Sequence, residues 1–258
     1  MKFQNIIKNK DDYVNLKQAT QISVEILKTL RDNIKVNVSA GDINEVAGQL
    51  CEDKKVVPSF LGVEGIKTPY KYNLCISIND EILHSIPYKE KIFKNGDIIK
   101  VDFGIIHKGF YTDHCITIGL GNLTPREIAL INTAKLCVDN AIEQAIVGNH
   151  VSDISYSLET VAELGRFDVV TTYCGHGIGK KLHLAPELPS YVHHHGQDYP
   201  LLEGMILCIE NQITIGKADL KTDSDGWTLK TIDGSKGAMF EHMVIVKNNK
   251  PEILTLMD

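Results

Sequence analysis

From Asp11 onward, apolar residues recur every three or four positions: Leu16, Ala19, Ile22, Ile26, Leu27 and Leu30. That spacing gathers them on one face of an amphipathic helix, which Val38-Ser39-Ala40-Gly41-Asp42 interrupts. A second helical stretch runs from about Asp42 through Val46 to Leu50, and then Pro58 and several glycines break the period. The pattern changes there to short apolar runs. Leu74 to Ile78 is one, and Ile98 to Ile106 and Phe110 to Ile118 are two more, rich in Ile, Val, Phe and Tyr and joined by a tight turn at His107-Lys108-Gly109. The same order then repeats. Thr124-Pro125-Arg126-Glu127 is a capping box with proline at the first helical position, and Ile131, Ala134, Val138, Ala141, Ile142 and Ala145 supply the buried face of the helix it starts. Gly148 to Asp153 ends that helix and caps another over about Ile154 to Leu164. Strands are predicted around Ile206 to Ile215, Trp227 to Thr231 and Met239 to Val246. Helix pairs alternating with antiparallel strands predict an α+β fold in which one layer of helices backs a curved sheet. Val38-Ser39 with Asp42-Ile43, and Val151-Ser152-Asp153-Ile154, match in letters at the same point of each round, which makes an internal duplication a hypothesis.

The chain has 258 residues, 43% hydrophobic and 23% charged, the make-up of an ordinary soluble globular protein. One domain is expected over residues 1–258, with 1–10 as a short amino-terminal extension. A formal net charge of −6 provides no clustered basic surface, so neither a nucleic acid nor an anionic membrane is an expected partner. The cysteines at 51, 75, 115, 137, 174 and 208 are dispersed with no Cys-x-x-Cys. This argues against a zinc knuckle or a disulfide framework and fits a reduced, cytoplasmic setting. The first ten residues lack the continuous apolar run of a signal peptide, and no segment approaches the ~20 apolar residues of a membrane span.

Within the hairpin, Asp102 and Asp113 change the picture. A turn centred on His107 and Lys108 pairs them directly; a three-residue turn would shift the register by one, which a bulge at Gly109 could absorb. Directly opposed side chains have Cβ atoms ~4.5–5.5 Å apart, and like charges there destabilise a sheet unless a cation lies between them. A solvated edge hairpin is the bland alternative. His176 stands in Cys174-Gly175-His176-Gly177-Ile178-Gly179, a loop whose glycines allow close approach to a ligand. Glu210 ends the apolar run Met205 to Ile209, and Glu241 interrupts Ala238 to Val246. A buried glutamate needs a partner; the alternatives are the polar end of a strand and one exposed position of an alternating one.

Taken together, Asp102, Asp113, His176, Glu210 and Glu241 occur in an order and context that resembles the type I methionine aminopeptidases of the pita-bread fold. Ser77 to Pro87, Gly175-His176-Gly177-Ile178-Gly179 with His183 downstream, Asp225-Gly226-Trp227-Thr228 and Phe240-Glu241-His242 carry the resemblance, which spans roughly residues 10 to 256. It implies a pseudo-twofold arrangement of helix pairs on a curved antiparallel sheet. It also implies two divalent ions, with Asp113 and Glu241 bridging them, Asp102 chelating one, and His176 and Glu210 completing the other site. Four carboxylates and an imidazole are hard to borderline donors suited to Mn, Fe, Co or Zn. The resemblance further implies that His84 and His183 contact the scissile peptide and that Glu210 doubles as a proton shuttle. Phe60, Cys75 and Trp227 would form the side-chain pocket, with His84 near its rim. The implied substrate is the amino terminus of a nascent protein met near the ribosome exit, and the implied state is a monomer.

The chain departs from that pattern around the pocket. The segment Phe60 to Asn73 is longer and less aromatic at its start, Ser85 follows the first histidine where glycine is usual, Leu182 precedes the second where phenylalanine is usual, and Asn211 follows the metal-binding glutamate where proline is usual. None is a ligand position. The run His193-His194-His195 reads as a solvated surface tract rather than a second metal site. Two rival readings remain at this point: an Xaa-Pro or other aminopeptidase of the same fold, which would carry a sizeable extra amino-terminal domain, and a pita-bread module that binds peptides or proteins without cleaving them.

Overall fold

A computed structural model describes residues 3–65, 67–192 and 198–257. The histidine run at 193–195 therefore lies outside the described residues. Four helices are present among those described: α1 (Lys10–Asn33), α2 (Ala40–Lys54), α3 (Pro125–Ile142) and α4 (Val151–Leu164). Local chemistry starts each of them. The Asn9 side chain accepts from Asp12 N, Ser39 and Asp42 form a capping box, and so do Thr124 and Glu127. Asp153 accepts from His150 N at 2.7 Å. α2 and α4 thus begin earlier than expected, at Ala40 and Val151. The polar residues that interrupt the apolar period at those points are the caps themselves.

The main sheet has nine strands. Its path runs Leu184–Pro189, Cys174–Gly177, Ile206–Thr214, Gly237–Ile245, His114–Gly119, Ile98–Phe103 and Cys75–Ile78, with antiparallel pairing throughout. The six strands from Cys174–Gly177 to Cys75–Ile78 are three from each half of the chain, in mirrored sequence order, and the halves meet where Glu241 pairs with Cys115. That is the order a two-fold duplication produces. The helices cover one face, α3 lying on Ile206–Thr214 and Gly237–Ile245, and α1 on Ile98–Phe103 and on Ile105–His107 of an adjoining three-stranded sheet.

Parity along the strands assigns the faces. Leu207, Ile209, Ile213, Phe240 and Val244 pack into the core with Leu27, Leu30, Ala134, Val138, Ile154 and Leu158 of the helices. Their alternates Ile206, Cys208, Met243 and Ile245 join a different cluster that includes Phe60, Tyr70 and Cys75. Ile206–Thr214 and Gly237–Ile245 are buried along their whole length. The solvated alternatives for Glu210 and Glu241 therefore fail, because the second face is covered as well.

The hairpin register differs from the expected one. His107 pairs with Phe110, so the turn is the two-residue Lys108-Gly109. Its φ values of 49° and 78° are the pair of left-handed residues that suits the twist of a hairpin. Continued into the main sheet, this register sets Asp102 opposite Cys115 rather than Asp113. A displacement of two positions preserves parity, so both aspartates still project on one face, diagonally rather than opposed.

His176 is likewise in the strand Cys174–Gly177 rather than in a loop. A Cβ on Gly177 would lie 2.5 Å from the Ala185 carbonyl oxygen, and one on Gly175 would collide with that of Cys208. These glycines let neighbouring strands close on either side of the histidine. Gly-rich composition hid this strand, and with it Leu184–Pro189.

Candidate metal centre

One row of directly paired residues crosses five strands on the face away from the helices: Cys75, Asp102, Cys115, Glu241 and Glu210. The like-charged pair facing across a ladder is thus Glu210 with Glu241, on the two fully buried central strands. Asp102 and Glu210 hold corresponding places in the two halves, each on a middle strand opposite the strand that meets the other half. Asp113 stands two residues before Cys115, and its backbone N–H donates to Met243 Sδ at 3.3 Å. His176 pairs with Cys208, two residues from Glu210.

Electrostatics at this row are severe. Carboxylate oxygens of Asp102, Asp113 and Glu241 lie within 4.8 Å of one another. Asp102 Oδ1, Asp113 Oδ1 and Glu241 Oε1 are buried with no hydrogen-bond partner among the described residues. Burial pushes the Asp102 carboxyl up to about 7, and burial with the charge of Asp102 pushes Glu210 up to about 8. Asp113 and Glu241 are raised well above the ordinary carboxyl range by burial and by their acidic neighbours. The Glu210 carboxylate accepts from the Gln212 side-chain amide.

The imidazole completes the set. His176 Nδ1 donates to the Gly177 carbonyl at 3.0 Å, which leaves Nε2 as the lone-pair nitrogen, 3.8 Å from Asp113 Oδ2. Burial, assisted by His183, lowers its pKa to about 3, so the ring is neutral and ligand-competent at physiological pH. Orphaned carboxylate oxygens and a neutral imidazole gathered in overlapping groups of three fit divalent cations.

These residues floor a cavity of about 640 Å³, and every candidate named from the sequence lines it: Phe60, Cys75, His84, Asp102, Asp113, His176, His183, Glu210, Trp227 and Glu241. His84 follows the strand Glu81–Leu83 with φ at 57°, a left-handed conformation that costs a non-glycine residue energy. Burial and the nearby His183 bring its pKa down to about 4. His183 sits edge-on to His176 with ring centroids 4.5 Å apart, and burial lowers its pKa too.

The side wall is more aromatic than the sequence suggested. The segment after Phe60 folds back through Gly62 N to Tyr70 O and Tyr70 N to Val63 O, both 2.8 Å. This lays Tyr70 edge-on to Trp227 at 4.9 Å, while the single Tyr70 hydroxyl proton is shared between the Leu74 and Ser85 carbonyls. Trp227 Nε1 donates to Thr68 O at 3.1 Å, closing the wall. Sequence reasoning passed over Tyr70, as it did Tyr173, whose ring meets His84 at 5.2 Å, and Met239. The burial of Tyr70 was not legible, though its place in the pocket loop was a signal. Leu182, which replaces the usual aromatic, also lines the cavity.

A pH prediction follows from the carboxyls. Their folded-state values lie above the unfolded value of about 4, so their contribution to metal-free stability is full below that value and is lost as pH rises toward about 7 and about 8. Cations that bind the charged forms reverse this loss. The rise in unfolding temperature produced by Mn(II) or Co(II) should therefore grow steadily between about pH 5 and pH 8. Differential scanning calorimetry with and without chelator measures it, and a metal effect that is flat or shrinks with pH would count against the cluster.

Comparison with known proteins supplies the family. Residues 14–248 match metallopeptidase family M24. The methionine aminopeptidase of Aquifex aeolicus (strain VF5) is 39% identical over 243 residues, covering 93% of this chain and 94% of that protein. That of Clostridium acetobutylicum is 37% identical over 253 residues, covering 98% and 99%. The crystal structure of methionine aminopeptidase from Thermotoga maritima superposes with a TM-score of 0.92 at 32% identity, covering 99% of this chain and all of that one. Prolidase from Pyrococcus furiosus shares the fold at a TM-score of 0.76 and 18% identity, and this chain spans 66% of it. On both profile and full-length similarity, the chain belongs to metallopeptidase family M24, among the methionine aminopeptidases.

Proposed function

We propose that this chain hydrolyses the peptide bond after an amino-terminal methionine, using two divalent ions held by Asp102, Asp113, His176, Glu210 and Glu241. The observation that carries the proposal is the crowding of four carboxyls, three of them with a buried, partnerless oxygen, at the floor of a cavity with an aromatic wall. Divalent ions bound there would polarise the scissile carbonyl and acidify a water. Mn, Fe, Co and Zn all suit the donors.

The chain's own residues complete the chemistry. Glu210 accepts the proton of the attacking water and delivers it to the leaving amine, with its carboxyl steadied by the Gln212 amide. His84 and His183, both neutral at physiological pH because burial lowers their pKa values, offer N–H donors to the scissile amide and to the charge that develops on its oxygen. Phe60, Tyr70, Cys75 and Trp227 receive the side chain, and sulfur against aromatic rings contributes ~0.3–1.5 kcal/mol per contact. We further propose that residues 1–258 act as one catalytic domain and that the protein works as a cytoplasmic monomer on nascent chains, with transient ribosome association. Among the described residues, no helix is long and apolar enough to cross a membrane.

Chelator-stripped protein should hydrolyse Met-Gly-Met-Met only after Mn, Co or Fe is restored. In a panel of Xaa-Gly-Met-Met peptides, methionine should be released fastest. Equal or faster release of leucine or alanine would discard the methionine assignment, and peptide binding without cleavage under every metal would favour a binding module.

A further inference from the structure

Lys100 is the one lysine or arginine among the described residues that is fully buried, at 1% exposure. It lies on Ile98–Phe103, one pleat from Asp102 and on the same face. Its ammonium donates to the Asn79 carbonyl at 2.9 Å and to the Gly237 carbonyl at 3.1 Å. Neither acceptor is a carboxylate. Burying an amine against main-chain carbonyls from two remote segments is costly to build, and surface ion pairing cannot account for it.

What those carbonyls belong to gives the lysine a task. Asn79 is the left-handed residue, φ 55°, of the turn between Cys75–Ile78 and Glu81–Leu83, and His84 follows that second strand directly. The turn is held further by Asn79 Nδ2 donating to Asp97 Oδ1 at 2.8 Å and by Ile98 N donating to Asn79 Oδ1 at 3.0 Å. Gly237 opens the strand that carries Met239 into the cavity wall and Glu241 into the carboxylate row, and its N–H donates to the same Asn79 carbonyl at 3.1 Å. One side chain thus ties together three segments: its own strand with Asp102, the turn before His84, and the origin of the Glu241 strand.

We propose that Lys100 is a positioning residue for the hydrolysis, an internal ammonium that fixes His84 relative to the Asp102 and Glu241 strands. This rests on the function proposed above. His84 sits in a strained backbone conformation, so its ring depends on the segments around it for its place. Misplacing a group that meets the scissile amide by ~1 Å can cost up to ~100-fold in rate.

The test is chemical rescue. Metal-loaded Lys100→Ala is expected to lose about 10- to 100-fold in kcat on Met-Gly-Met-Met, with KM and metal content little changed. n-Propylammonium, which restores the missing three carbons and the charge, should recover several-fold of the loss in the variant and nothing in the wild type. Propan-1-ol, of the same length without the charge, should not. Activity within about twofold of the wild type, a loss that propylammonium leaves unchanged, or equal recovery with propanol would each overturn the proposal. If the alanine variant does not fold, Lys100→Met keeps the apolar stem; folded, metal-loaded Lys100→Met with half or more of the wild-type kcat overturns the proposal, and about tenfold less supports it. Wild-type cleavage of the same peptide, run in parallel, separates failure of this inference from failure of the proposed reaction.

Discussion

Glu241→Ala should abolish peptide hydrolysis while making the metal-free protein more stable. Glu241 stands at the centre of the carboxylate row, opposite Glu210 and beside Cys115. It belongs both to the cluster with Asp102 and Asp113 and to the one with His176 and Cys208, so its loss opens the whole floor of the cavity. Stabilisation of transition-state charge by bound ions is worth several kcal/mol, so kcat/KM should fall by about 10³-fold or more. Without metal the sign reverses. Glu241 is buried, short of a hydrogen-bond partner at Oε1 and repelled by Glu210 and Asp102, so removing it relieves an unfavourable charge. The chelated variant should therefore unfold at a higher temperature than the chelated wild type at pH 8, and added Mn(II) should shift it little. Calorimetry, metal analysis and peptide assays together check this. An active variant that keeps its metal, or a chelated variant destabilised at pH 8, would contradict the assigned role.

Glu210→Gln should separate binding from proton transfer. The amide keeps one oxygen toward the centre and the shape of the side chain but cannot carry a proton. General acid–base catalysis contributes about 10²–10⁴-fold, and the loss should appear in kcat with KM little changed. Gln212, which donates to the same carboxylate, sits on the same strand and face and would hold the amide in the glutamate's place. A proportional rise in KM at constant kcat would instead make Glu210 a binding residue only.

Much of this was legible in the sequence for specific physical reasons. The helices declare themselves through their caps and a 3.6-residue period; α2 starts within the segment read as a break, and α4 within the segment read as its cap. The family pattern brought ten residues to one cavity. Register was harder to read. The Lys108-Gly109 turn and a His107-Lys108 turn differ by a single residue in sequence, yet that residue moves the opposed charges from Asp102 and Asp113 to Glu210 and Glu241. Parity survived the error, and so the shared face of the aspartates did too. His176 looked like a loop residue because glycine usually marks loops, whereas here it marks strands packed too closely for a Cβ. Tyr70 and Lys100 show the opposite limit: an apolar run surrounds Lys100, but nothing along the chain signals which distant groups a buried phenol or amine will meet. Their roles come from partners at 74, 85 and 237.

The central claim is that Asp102, Asp113, His176, Glu210 and Glu241 together hold divalent ions. Anomalous diffraction from crystals grown with Mn(II), collected on both sides of the manganese edge, addresses it directly. The account predicts two anomalous peaks among those five side chains. An absence of anomalous density there, with the carboxylates turned away from one another, would contradict it.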